Sequence, residues 1–376
     1  MVALYLGAGF AVLVLLLGVL SASAFSLLGT GATKAPARNG NRNRDDFPAW
    51  KDENLILFAK PKKGKSTQNL EEGDDWTQKV LTEVQVQLDA NNINEAIERI
   101  NKAQSELPEG TLLSPEVFAP VIYHAREALD FSLARELTER LLEECSPDDF
   151  LEAANPANPM SPDLTHLEMG YFLVHSMRFQ DELRPNEDTF RSLLGLAAKA
   201  GRWADAVLLA RAAEKMGVRL TPFLHDELQG ALRRHGPALS PLAQCLYERA
   251  RRRGDLGGLG DLRRDPGTPP ALDLHNMTSA LAVAAVRSTL EDMLQRPDDR
   301  AWHDPASGPL QVITGQGRNS EDGVAVIKPA VLELLNTDLG IKADVMRYNQ
   351  GCIELSKAQL TKWVKETQQK ASSIGS

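Results

Sequence analysis

The sequence predicts an α plus α/β protein: an α-solenoid of degenerate helical-hairpin repeats followed by a small α/β sandwich. Three observations carry this expectation. From Trp76 to about Arg253 apolar residues recur at helical spacing, broken by Pro, Gly and Asn. Gly201 and Gly236 are 35 residues apart, and Ala134 and Ala206 are 72 apart, close to two such periods, as expected of stacked helix pairs. After Pro270 the pattern changes to short apolar/polar alternations interleaved with helical stretches, which reads as a mixed α/β unit.

The chain opens with Val2–Leu28, which carries no charge and holds Leu13-Val14-Leu15-Leu16-Leu17 followed by Ser21-Ala22-Ser23-Ala24. This is the pattern of a signal-peptide apolar region and its small-residue cleavage site, so 1–24 is expected to be removed before Phe25. An uncleaved anchor is the alternative, because the span approaches the roughly 20 apolar residues that cross a bilayer. Lys34–Lys65, with nine basic and four acidic residues, is too polar to build a core, and 25–75 is expected to be a disordered transit-like segment. Leader, Ala24-Phe25 junction and basic tail together resemble the two-part plastid-targeting leaders of algae with secondary plastids, although Ser26-Leu27 stand where Ala-Pro often follows the Phe. The resemblance implies a mature protein in the plastid stroma without a membrane span; a membrane-anchored or secretory fate is the alternative.

A chain of 376 residues has room for two or three domains, and its 43% hydrophobic content supports real cores. The formal net charge of -9 excludes a uniformly basic nucleic-acid-binding protein, so any nucleic acid must be met by a local patch. Cys145, Cys245 and Cys352 are odd in number, far apart and without metal-ligand spacing. They form neither a disulfide framework nor a zinc site, no metal ligand is assigned, and a reducing compartment fits best.

In the middle region, 76–253, the clearest unit is Asp188–Thr221. Its first helix is expected to bury Phe190, Leu193, Leu194 and Ala197; Ala200-Gly201-Arg202 turns the chain; and a second helix turns Trp203, Ala206, Val207, Leu209, Ala210 and Ala213 inward. Less regular units are expected around 91–103, 115–144, 164–182 and 222–253, with 145–162 as an inserted loop. The unit resembles a pentatricopeptide repeat. That resemblance implies RNA as partner and assigns base-facing positions to Arg191 and Leu220, with His225 in the next repeat. An Asn, Ser or Thr paired with Asp or Asn would be the family's reading pair, and none is present. Arg191, Arg233 and Arg234, together with Arg251-Arg252-Arg253, are instead read as phosphate contacts, the alternative being a solvated helix face.

Gly254–Pro270 holds five glycines and three prolines in seventeen residues and is expected to be a linker that lets the flanking parts move. Beyond it, Leu272-Asp273-Leu274-His275 reads as a half-buried strand that puts Asp273 and His275 on one side. A carboxylate beside an imidazole fixes its tautomer and supports proton transfer. Thr278–Gln295 is expected to be a helix, and Leu310–Ile313 a second strand entering Thr314-Gly315-Gln316-Gly317-Arg318. Glycines there let backbone N–H groups approach an anion, and Pro329 marks the helix that follows. Ala343–Tyr348 and Cys352–Leu355 read as a hairpin around Asn349-Gln350-Gly351, and Ser356 caps a last helix ending near Trp363. The expected order is β-α-β-α-β-β-α.

These motifs in this order, with Leu360 and Trp363, resemble an Smr (small MutS-related) domain over 271–363, and 271–367 is assigned to it. The resemblance implies a compact α/β sandwich that binds, and often cuts, nucleic acid. It points to Asp273 and His275 as catalytic and to Thr314, Gly315, Gly317 and Arg318 as nucleic-acid-binding. Asn276 stands where the family usually has glycine, and the 296–309 loop is long. The function expected is RNA binding in plastid gene expression with phosphodiester cleavage assisted by the Asp/His pair, a divalent cation such as Mg being compatible with it. The alternative is a non-catalytic scaffold for proteins of plastid gene expression or signalling.

Overall fold

The structure, a computed structural model, describes residues 68–107, 113–144, 150–152, 154–156, 165–179, 183–265, 267–296, 308–316 and 325–374. The expected leader, nearly all of the transit-like segment, most of the 145–162 insertion and of the 296–309 loop, Gly317 and Arg318 lie outside the described residues. The described chain is mostly helical, with one small mixed sheet.

Helices α1 (Gln68–Asp89) and α2 (Ile93–Ser105) pair through Val84 and Leu88 on one and Ala96, Ile100 and Ala103 on the other, all buried. A 3₁₀ turn, Pro115–Val117, leads into α3 (Ala119–Glu127) and α4 (Phe131–Glu144), and α5 (His166–Met177) starts at a Thr165/Glu168 capping box. Next come α6 (Glu187–Ala200), α7 (Trp203–Lys215), α8 (Pro222–Arg233) and α9 (Ser240–Arg253). The caps of α6 and α8, Asn186 and Thr221, are 35 residues apart, as are the left-handed turns at Gly201 (φ 71°) and Gly236 (φ 84°). The inward residues expected of α6 and α7 are all buried.

Consecutive helices stack from α6 to α9, while α3 and α4 depart from that row and pack against α9. Arg211 of α7 donates to the Leu142 carbonyl at 3.0 Å, and Arg249 of α9 to Glu139 at 3.0 Å, so α4 is held by both helices. In a row where each hairpin touches only its neighbours, 119–144 and 240–253 stay apart. The reason for the departure is the composition of α9. Pro241–Tyr247 is buried without interruption, so the first half of that helix needs cover from more than one side, and arginines of its second half pair with acidic groups of α4 and α7.

Among the described residues after Pro270 the order is β-α-β-α-β-β-α. It runs β2 (Ala271–Asp273), α10 (Ser279–Gln295, with Thr278 as N-cap), β3 (Leu310–Ile313), α11 (Ile327–Glu333, extended by a π turn to Asp338), β4 (Asp344–Val345), β5 (Cys352–Leu355) and α12 (Lys357–Ile374). β2 and β3 are parallel, joined through α10, with Leu272 opposite Val312; β5 runs antiparallel to both β3 and β4. α12 runs well past Trp363, because no Gly or Pro interrupts Val364–Ile374.

The segment 254–270 corrects the expectation of a free linker. Leu262–Arg263 forms a strand, β1, antiparallel to β2, so the sheet order is β1-β2-β3-β5-β4. Leu256 is buried in one core with Phe131, Tyr247 and Ala250 of the helical part and Leu281, Ala285, Leu290 and Trp363 of the α/β part. Turn glycines gave the segment its linker composition, and one of them, Gly260, lets the chain lie close against α9 and α10. Residues 64–376 form one compact unit.

Candidate functional site

β2 alternates as its sequence dictates. Leu272 and Leu274 are fully buried, and Asp273 and His275 come out on the other side, their side chains 21% and 56% exposed. The Leu274 N–H continues the ladder to the Ile313 carbonyl at 3.0 Å, which fixes where the strand end points. His275 Nδ1 lies 2.6 Å from Asp273 Oδ1, and the His275 backbone N–H donates to the same oxygen at 3.0 Å. With Nδ1 committed to the carboxylate, Nε2 is the ring nitrogen left for chemistry. Partial burial alone would raise the Asp273 carboxyl. The two hydrogen bonds from His275 and the charges of His275 and Arg263 outweigh it and hold the group below its ordinary range.

Arg263 of β1 donates to Asp273 Oδ2 at 2.8 Å. Sequence reasoning missed this residue because it sits in a Gly/Pro-rich stretch; the local signal was only a single apolar/basic pair, Leu262-Arg263. Asn276 has φ 62°, a left-handed value that favours glycine and that Asn tolerates better than most residues. Asn276 therefore suits its backbone although it is not glycine. Thr278 caps α10, and its hydroxyl also hydrogen-bonds the Asp226 carboxylate of α8.

Thr314 and Gly315 follow β3 and lie beside the histidine. A Cβ built on Gly315 (φ 72°) would stand 3.5 Å from both Cδ2 and Nε2 of His275. The expected phosphate cradle is corrected at its first two residues, because the N–H groups of Thr314 and Gly315 are already used; Gly317 and Arg318 lie outside the described residues. Both donate to the Gly351 carbonyl, at 2.8 and 3.1 Å. Glycine at 315 thus serves a turn and the close approach of His275, and it offers no spare donor. Lys328 Nζ donates to the Gln350 carbonyl at 3.1 Å, tying α11 to the same hairpin.

The helical basic residues are not brought to this site as one surface. Arg191 is paired with Asp188 at 3.2 Å, and Arg233 and Arg234 are exposed at the end of α8. Asp226 and Glu227, on the same helix, interrupt the basic surface; burial raises both carboxyls. The Arg251-Arg252-Arg253 cluster is engaged internally with Asp292, Glu139 and Glu214 at 3.1, 3.4 and 2.7 Å. His225, read as base-facing, is 4% exposed and cannot meet a base; Leu220 is buried as well.

Among the described residues no three His, Cys, Asp or Glu side chains converge to hold a metal ion, and no helix is long and apolar enough to cross a membrane. Comparison of the chain with protein-family models and with curated proteins gives no match. Fold and site together define a helical array fused to a small mixed sheet that carries an exposed, arginine-backed Asp–His pair at a strand end.

Proposed function

We propose that the strand end at 273–275 is a general acid–base site that cleaves phosphodiesters of single-stranded RNA in plastid gene expression. Under this reading the mixed sheet is an Smr-like domain and the α6–α9 helices are pentatricopeptide-like repeats. The observation that carries it is the 2.6 Å contact between His275 Nδ1 and Asp273 Oδ1, on an imidazole that is otherwise open to solvent. His275 Nε2 takes the proton from the attacking 2′-hydroxyl or water as that oxygen bonds to phosphorus, the ionised Asp273 steadies the imidazolium that forms, and the P–O bond to the departing oxygen breaks, that oxygen taking a proton from the imidazolium or from solvent. Arg263 balances the carboxylate and adds positive charge at the edge where phosphate would sit.

The test is cleavage of labelled single-stranded RNA by the mature chain, with a chelator arm and a strand lacking 2′-hydroxyls. His275→Ala is expected to lower cleavage by roughly 10²- to 10⁴-fold, the usual contribution of a general acid–base group, with RNA binding retained. Equal cleavage by His275→Ala removes the histidine from the mechanism.

A second reading, a non-catalytic scaffold for proteins of plastid gene expression, is favoured by one observation. Glu227 lies among Arg234, Arg191 and Lys199, and Asp226 beside it takes the Thr278 hydroxyl, so acidic groups are interspersed with the helical arginines. Absence of cleavage and of RNA binding in the same assay selects this reading.

A further inference from the structure

Tyr348, at the β4–β5 hairpin, is 101% exposed, the most exposed of the large hydrophobic side chains among the described residues. An aromatic ring left wholly in water has both faces open to a partner, and the backbone that carries it is well held. The hairpin is held from several directions. The Asn349 N–H donates to the Met346 carbonyl at 3.2 Å, the Cys352 N–H to the Asn349 carbonyl at 3.0 Å, and the Gly351 N–H to Asn349 Oδ1 at 3.1 Å. Lys328 braces Gln350, and the Gly351 carbonyl is clamped by Thr314 and Gly315, which stand beside His275.

Three residue steps take the chain from Tyr348 to Gly351, a span of at most about 10 Å. Tyr348 therefore belongs to the same hairpin whose Gly351 touches the turn beside His275, and the neighbouring Arg347 is exposed as well. We infer that Tyr348 is a base-stacking platform: it holds an unpaired base flanking the phosphodiester presented to His275, with Arg347 against the adjoining phosphate. The inference rests on the proposed acid–base site and narrows its substrate to single strands. A duplex keeps its bases stacked on one another and has none to offer, whereas every unpaired base has a face that stacks on an aromatic ring.

Binding of a short labelled single-stranded RNA to the full chain tests this, with His275→Ala in all but one arm to prevent cleavage. Tyr348→Ala and Tyr348→Leu are expected to bind about 5- to 150-fold more weakly, the range for loss of one stacked base. Tyr348→Phe, which keeps the ring, is expected to bind like the parent. Melting temperatures should not move, because the side chain touches no core. Removing one base from the strand should cost the parent a similar factor and Tyr348→Ala nothing further. If Tyr348→Ala and Tyr348→Leu bind as tightly as the parent, the stacking role fails and the acid–base reading stands. If no form binds single-stranded RNA, the two fail together.

Discussion

Arg263 and Asp273 meet across the β1–β2 pair, the guanidinium donating to Oδ2 at 2.8 Å, so that the other carboxylate oxygen is left to His275. Arg263→Ala is expected to raise the Asp273 carboxyl toward its ordinary value, since one of the charges that depress it is lost. A ¹³C titration of the Asp273 carboxyl reads that shift without relying on activity. The pair is exposed, so stability should change by no more than about 1 kcal/mol. An unmoved titration would show that His275 alone controls the carboxylate.

Gly351 sits where the hairpin touches the turn beside the histidine. A Cβ there would stand 2.9 Å from the Gly315 carbonyl carbon and 3.1 Å from its oxygen, closer than backbone can tolerate. Gly351→Ala is expected to push the two turns apart and to destabilise by about 1–3 kcal/mol, the range for overpacking. Chemical denaturation measures the loss, and the His275 ring resonances should shift with it. A variant of unchanged stability and spectrum would mean that the contact yields freely.

The parts of this fold legible in the sequence are those set by local pattern. The burial of Leu272 and Leu274 against the exposure of His275, the Thr278 cap and the hairpin around Asn349 all follow from alternation, capping and turn chemistry. What was not legible depends on contacts far apart in sequence. Nothing near Arg263 announces that it will pair with Asp273, and nothing near Arg251–Arg253 announces Asp292, Glu139 and Glu214 as partners. The Gly315 turn failed for a related reason. Its glycines signal backbone freedom, but the Gly351 carbonyl that takes its first two donors comes from a hairpin turn 36 residues on.

A buried charge cluster joins the helical array to the α/β part. Arg126 of α3 pairs with Glu248 of α9 at 3.1 Å and with Glu291 of α10, and it also faces Cys245, while Arg287 lies nearby on α10. Burial, with the Glu248 charge beside it, pushes the Glu291 carboxyl up to about 7 despite Arg126. A carboxyl raised on folding binds its proton more tightly in the native state. Its contribution to stability is therefore complete below the ordinary value of 4.5 and is lost as pH rises through about 7. Glu291→Gln, which keeps a group to accept from Arg126, should flatten this component. Melting curves from pH 5 to 8.5 are expected to show the parent losing ground to the variant as pH rises, and parallel curves would reject the assignment. Arg126→Leu, which strands two carboxylates, should be strongly destabilising, by about 3–5 kcal/mol.

The last prediction concerns the segment 254–270, where composition and structure part company. Gly260 (φ 74°) lies so close to its neighbours that a Cβ would stand 2.6 Å from the Tyr247 hydroxyl of α9 and 2.9 Å from the Ala285 Cβ of α10. Gln244 of α9 donates to the Ala284 carbonyl of α10 at 3.1 Å, and Leu256 fills the core between them. A cut in this segment should leave the two parts associated, because the buried contacts on either side do not depend on chain continuity. Nicked protein is expected to elute as one species in native gel filtration and to separate only in denaturant. Residues 271–376 produced alone lack β1 and the cover from Tyr247, Ala250 and Leu256, so they should melt below the intact chain and bind a hydrophobic dye. Adding residues 76–253 in trans should restore part of that stability by mass action. If 271–376 instead melts like the intact chain, binds no dye and elutes apart from 76–253 after nicking, the shared core contributes nothing and the segment is a linker after all.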